Sequence, residues 1–213
     1  MAQAETAYTN GRQSQVQELG SKDVSLVARS TKIATRQGEV AVETLRAGDE
    51  VVSRDLGLIR VRWVGVLQAI ELPIRVPAGA LGRNVPARDC LLAPNSRIWM
   101  RGTEFETAFA AREVMVPVKD LVDWHGITEH VSHAPTTDYF LVLCDTPQIL
   151  TMDGMQVEMR HAGADMPEFD TVDADEMAVL FPELLALSPK SDKWRRRLDK
   201  HEAAHVVEVK KRA

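Results

Sequence analysis

The sequence predicts a mainly β domain followed by a charged, mostly helical C-terminal appendage. The first observation lies between Thr31 and Gly65. Apolar and β-branched residues come there in short bursts, Ile33-Ala34-Thr35, Val40-Ala41-Val42, Val51-Val52-Ser53 and residues 59–64. The second is the turn chemistry between the bursts, Gln37-Gly38, Ala47-Gly48-Asp49 and Asp55-Leu56-Gly57. Bursts this short with such punctuation form hairpin strands rather than helices, and Gly38, Gly48 and Gly57 can supply turn positions with positive φ. The third is a change of composition beyond residue 153. Residues 153–183 hold nine acidic residues and one basic one, and residues 188–213 hold nine Lys and Arg against four Asp and Glu.

A chain of 213 residues with a 45% hydrophobic fraction suits one domain with an appendage and a full core. The net charge of −5 argues against bulk attraction to nucleic acid. Cys90 and Cys144 both sit in apolar runs and read as reduced core thiols rather than a disulfide framework. The polar start, residues 1–20, has neither a basic n-region nor an apolar h-region, and no apolar run approaches the roughly 18 residues of a membrane span. A cytoplasmic location and no membrane span are the default expectations, and no cofactor is called for.

Taken in order, residues 1–22 lack periodicity and read as a flexible arm, residues 23–160 as the β domain, and residues 161–213 as the charged tail. Val24–Val27 is a short apolar lead into the hairpin region. Ile70–Gly82 reads as a strand stopping at Pro77, with a loop or one helical turn over Ala78–Gly82. Cys90-Leu91-Leu92 and Arg97–Met100 read as strands. Residues 107–112 fit helix or strand equally. Glu113–Val118 alternates as a strand, followed by a helical turn over Lys119–Val122. Ile127–Val131 and Asp138–Cys144 are expected to pair with each other, and Ile149–Met155 carries a turn at Asp153-Gly154. Ala174–Leu187 has near-helical apolar spacing broken by Pro182. Lys190–Val209 reads as a basic amphipathic helix capped at Ser191 or Asp192.

Several blocks, in this order, carry a family resemblance. Residues 31–35, Gly38 and Val42-Glu43-Thr44-Leu45-Arg46-Ala47-Gly48-Asp49-Glu50-Val51-Val52 resemble the opening of Hint (hedgehog/intein) domains, which are self-processing modules. Val61-Arg62-Trp63-Val64-Gly65, Pro73–Val76, Ala78–Gly82, Pro86–Asp89, Ala93–Ile98 and Val114–Leu121 resemble a bacterial Hint subtype, as do Leu180–Leu184 and His201-Glu202-Ala203 near the end. The resemblance spans roughly residues 25–205. It implies a horseshoe-shaped all-β fold with pseudo-two-fold symmetry. It also implies an N→S or N→O acyl shift. A Cys, Ser or Thr at the first residue attacks the preceding carbonyl, and a His protonates the leaving amide nitrogen.

The reactive positions depart from that pattern. The nucleophile position matches Leu26, with Ser25 one residue further out as the alternative nucleophile. The His of the block matching Ala93–Ile98 is replaced by Ser96, which cannot exchange a proton near neutral pH as imidazole does. A downstream His that follows an Asp-Arg pair matches Pro147, in Asp145-Thr146-Pro147-Gln148-Ile149. Three reactive groups are missing while the surrounding blocks remain.

Three other constellations bear on chemistry. His201-Glu202-Ala203-Ala204-His205 spells H-E-x-x-H, which on a helix can place two imidazoles on a zinc. The extension that supplies a third ligand is absent, since Glu208 and Lys211 stand at its positions. His125, His130 and His133 cluster within nine residues, with Asp123 and Glu129 nearby; they could share a metal, but read better as scattered loop histidines. Residues 193–200, KWRRRLDK with Trp194, fit contact with nucleic acid or an anionic membrane, or, as the commoner reading of such a run, the solvated face of a helix.

The sequence therefore predicts a Hint-type module that has lost self-processing and serves as a binding or scaffold unit, its partner being the chain's own charged tail, another protein or an unknown ligand. The alternative is a self-cleaving domain using Ser25. A zinc hydrolase using His201 and His205 is the third reading.

Overall fold

The computed structural model describes residues 16–20, 24–131, 134–159 and 195–212. Among them, fourteen strands form one mixed sheet around a single apolar core. The strands are β1 (Val27–Ala28), β2 (Lys32–Thr35), β3 (Gly38–Ala41), β4 (Glu50–Ser53), β5 (Gly57–Ala69), β6 (Ile74–Val76), β7 (Cys90–Leu92), β8 (Arg97–Arg101), β9 (Glu113–Pro117), β10 (Thr128–Glu129), β11 (Thr137–Cys144), β12 (Gln148–Met152), β13 (Met155–Met159) and β14 (Arg196–Arg197). The helices are α1 (Thr103–Phe109), α2 (Lys200–Ala204) and α3 (Val206–Arg212), with 3-10 turns over Val42–Thr44 and Val118–Leu121.

The long strand β5 joins two wings. Its first residues, Gly57–Arg60, pair with β4, and Val61–Ala69 pair with β11. On one side the order runs β10-β6-β7-β1-β11, and on the other β4-β2-β12-β13-β8-β9-β14, with β3 on β2. Leu26, Ile33, Leu67, Ile98 and Phe105 are among the side chains sealed between these elements. Each contributes about 1.5–3 kcal/mol of apolar burial.

The turns follow the chemistry of the sequence. Gly38, Gly48 and Gly57 have φ of 111°, 96° and 71°. Asp153 (φ 47°) and Gly154 (φ 82°) form the two-residue turn between β12 and β13, as an Asp-Gly pair between alternating strands predicts. Cys90 and Cys144 are buried free thiols.

Some expectations are corrected. Ile127–Val131 does not pair with Asp138–Cys144. β11 is buried along six consecutive residues and lies between β1 and β5. A strand that apolar needs neighbours on both sides, whereas the two exposed residues of β10 close the sheet edge on β6. Strand β6 covers only Ile74–Val76 of the Ile70–Gly82 run. Of the ambiguous stretch 107–112 only residues 107–109 belong to α1, because Phe105 and Phe109 at i and i+4 both turn into the core with ring centroids 6.0 Å apart, and Ala110 (φ 53°) caps the helix. The helix expected over Lys190–Val209 is a two-residue strand and two short helices in its described part. Asp199 forms a capping box with Glu202, so helix begins only at Lys200. Ser191, Asp192 and Ala174–Leu187 lie outside the described residues.

Residues 16–20, read from sequence as part of an arm, lie along the end of β5. Gln17 N donates to Gln68 O at 2.9 Å, Ile70 N donates to Gln17 O at 3.1 Å, and Leu19 is buried. Among the described residues no helix is long and apolar enough to cross a membrane.

Candidate functional site

The chain passes from Val24 through Ser25 and Leu26 into β1, and every one of these residues is buried. Strand β1 is held on both sides, with Val27 opposite Leu92 of β7 and Phe140 of β11. The loop Ala93–Ser96 between β7 and β8 crosses directly over Leu26. That loop is fixed by backbone bonds, since Ser96 N donates to Ala93 O at 2.9 Å and Val118 N, from the 3-10 turn after β9, donates to Ser96 O at 2.8 Å. Leu26 O in turn accepts from Ala93 N at 3.0 Å.

Ser96 is completely buried and touches Leu26 twice. Its Oγ accepts from Leu26 N at 2.9 Å and donates to Leu26 O at 2.6 Å. The side chain at the expected His position thus meets the backbone nitrogen of the expected first residue. A hydroxyl there satisfies the amide but has no proton to exchange near neutral pH. The Leu26 side chain is apolar and fully buried, and it offers no nucleophile.

Ser25 is 2% exposed, and its Oγ accepts from Arg97 N at 3.1 Å. Among the described residues no imidazole hydrogen-bonds to Ser25, Leu26 or Ser96. A buried serine without a base stays a weak nucleophile. Pro147 lies half-buried in the connection from β11 to β12. Its ring carries no donor or acceptor. The polar group beside it is Gln148, whose Oε1 accepts from Ser53 Oγ at 2.7 Å. The structure therefore brings Ser25, Leu26 and Ser96 together, while Pro147 stands on a separate connection.

The described histidines do not converge. His201 and His205 are exposed, with His205 at the break between α2 and α3. Glu202, the middle acid of the H-E-x-x-H run, is engaged twice, by Asp199 N at 3.2 Å and by the Arg196 guanidinium. The His125 ring stacks on Trp124 at 4.5 Å between centroids, and its Nδ1 is 2.9 Å from Ala80 O. The backbone N of His130 donates to Pro73 O at 2.7 Å. His133 and Trp194 lie outside the described residues. Among the described residues no group of three or more His, Cys, Asp or Glu side chains is disposed to hold a metal ion.

Sequence reasoning missed Arg97. Its backbone N holds Ser25, while its Nη1 donates to Leu198 O at 3.1 Å and Met115 O at 3.4 Å. It thereby ties the first residues of the domain to the last described segment. That segment was also missed as a sheet element, because a run of three arginines reads as a solvated helix face. The signal available was Leu198, a single apolar residue after Arg195-Arg196-Arg197, which is 1% exposed.

A family model described as "Hint domain" matches residues 27–164. Among solved structures the chain is similar to the AceL NrdHF class 3 split intein, a splice-inactive variant, at 14% identity and a TM-score of 0.44, over 63% of this chain and 97% of that one. It is similar to the MchDnaB-1 intein at 13% identity and a TM-score of 0.40, over 63% and 99%. For the gp41-1 intein the values are 11%, 0.37, 62% and 96%. No curated protein matches the chain.

Proposed function

Since the chain belongs to the Hint domain family, we propose that it keeps the family's fold without its self-processing and acts as a binding or scaffold module. The observation that carries this reading is the pairing of Leu26 N with Ser96 Oγ at 2.9 Å. An acyl shift needs a nucleophile on the residue whose nitrogen becomes the leaving group, and an acid beside that nitrogen. At this nitrogen the first is an isobutyl side chain and the second a hydroxyl. The hydroxyl also bonds Leu26 O, so the pair acts as a brace that fixes the start of the domain in the sheet. Ser25 supports the same reading, because its Oγ is already an acceptor for Arg97 N.

The test is the intact mass of freshly expressed full-length protein, with and without hydroxylamine or thiol. The expected result is one unchanged mass in all samples. A fragment beginning at Leu26 or Ser25 that accumulates with nucleophile would sink the proposal. If it began at Ser25, and Ser25→Ala abolished it, self-processing through Ser25 would replace it.

A further inference from the structure

Strand β9 would be the last strand of its wing without β14. The two pair in parallel, Arg196 opposite Val114 and Arg197 opposite Met115, and Leu198 N extends the ladder to Met115 O at 3.2 Å. The side chains of this segment enter specific places. Arg195 Nε donates to Glu113 Oε2 at 2.8 Å, and its guanidinium also binds Asp55, with Nη2 to Oδ1 at 2.5 Å. Arg197 Nη2 donates at 3.1 Å to Glu158 Oε2 on β13, a carboxylate whose side chain is 1% exposed. Leu198 is sealed in the core, and its carbonyl accepts from Arg97 Nη1.

Arg195 and Arg197 are two apart on an extended chain, so they share one face, and that face meets three carboxylates. A main-chain ladder combined with side-chain receptors at alternate positions is how a sheet edge recognises an extended peptide. The carboxylates belong to three different elements of the body, the turn after β4, β9 and β13. The receptor is therefore composed by the fold, not by the segment that fills it.

We propose that the edge of β9, with Asp55, Glu113 and Glu158, is a peptide-binding groove for an extended Arg-x-Arg-Leu segment. Residues 195–198 fill it in cis, and a partner polypeptide with the same pattern binds by displacing them. This rests on the reading of the domain as a binding module, and it names the chemistry of the partner.

The experiment uses the full chain with a site-specific protease sequence placed within residues 160–194, before and after cutting. The probe is a fluorescent synthetic peptide of residues 195–212, equilibrated overnight in excess and read by anisotropy. The expected result is saturable binding to the cut protein and binding weaker by about tenfold or more to the uncut one, where the cis segment competes. A peptide carrying Arg197→Met, and a scrambled peptide of the same charge, should each lose about tenfold or more, because a desolvated charge contact is lost. No binding to the cut protein, equal binding to cut and uncut protein, or equal binding of the scrambled peptide overturns the proposal. So does loss of the near-ultraviolet circular dichroism on cutting, which would make the segment a structural closure. Intact masses of the same samples report self-cleavage separately, so failure of the non-processing reading is seen whatever the peptide does.

Discussion

Ser96 Oγ bonds both backbone polar groups of Leu26, accepting from its N at 2.9 Å and donating to its O at 2.6 Å. One hydroxyl thus satisfies a buried peptide unit edge from a loop seventy residues away. Ser96→Ala leaves Leu26 N without this partner in a fully buried position. The expected cost is about 1–3 kcal/mol, seen as a lower urea midpoint with an unchanged m-value.

The same geometry predicts a gain of function. Leu26→Cys supplies a nucleophile at the residue whose nitrogen faces position 96, and Ser96→His supplies the acid. The double variant should release a fragment beginning at its new cysteine in hydroxylamine. Its rate should exceed that of Leu26→Cys alone by about 10²-fold or more, the usual worth of a positioned proton donor. Circular dichroism checks that the larger imidazole is accommodated. Equal rates for the single and double variants would contradict the assignment of Leu26 as the family's first residue.

Arg197 and Glu158 predict a coupled pair. Arg197→Met takes a guanidinium away from a carboxylate whose side chain is 1% exposed and should cost about 3 kcal/mol. Adding Glu158→Gln to it should recover much of that loss, because a neutral amide is far cheaper to bury than a charge. Chemical denaturation of the four proteins of this double-mutant cycle measures the coupling.

The last helices should loosen in acid. The hydrogen bond from Lys210 holds the Glu104 carboxyl below its ordinary 4.5. The backbone N–H groups of Glu202 and His201 hold Asp199 below its ordinary 3.8. A carboxyl with a depressed folded pKa stabilises fully above its ordinary value, and that contribution is lost as pH falls through the depressed one. Amide protection factors across residues 199–212, taken relative to the intrinsic exchange rate at each pH, should therefore be steady down to about pH 5 and fall below about pH 4. Asp199→Ala should show the reduced protection already at neutral pH.

Both thiols should be inert in the folded protein. Burial, aided by the nearby Asp145 charge, pushes Cys144 up to about 12. Burial and the Asp153 carboxylate push Cys90 higher still. The reactive species is the thiolate, so neither thiol should react with a disulfide reagent at pH 8, and both should react in denaturant. A fast-reacting thiol in native protein would contradict the placement of these strands.

The sequence by itself determined the elements whose signals are local. An Asp-Gly pair between apolar strands specifies a tight turn wherever the hairpin goes, and glycines at 38, 48 and 57 specify turns because other residues resist positive φ. It also determined that residues 26, 96 and 147 are Leu, Ser and Pro, none of which carries an imidazole or a thiol, since that is a matter of residue type. Tertiary structure alone decided which strands are neighbours. Strand β11 passes over the nearby β10 for β1 and β5, because pairing is settled by burial on both sides rather than by distance along the chain. It alone decided that Ser96 Oγ meets Leu26 N rather than Ser25 N, a matter of ångströms between residues seventy apart. It also turned Arg195–Leu198 from a basic run into a strand. Charge patterning shows that arginines want carboxylates, but Asp55, Glu113 and Glu158 become one receptor only after three separate elements have packed.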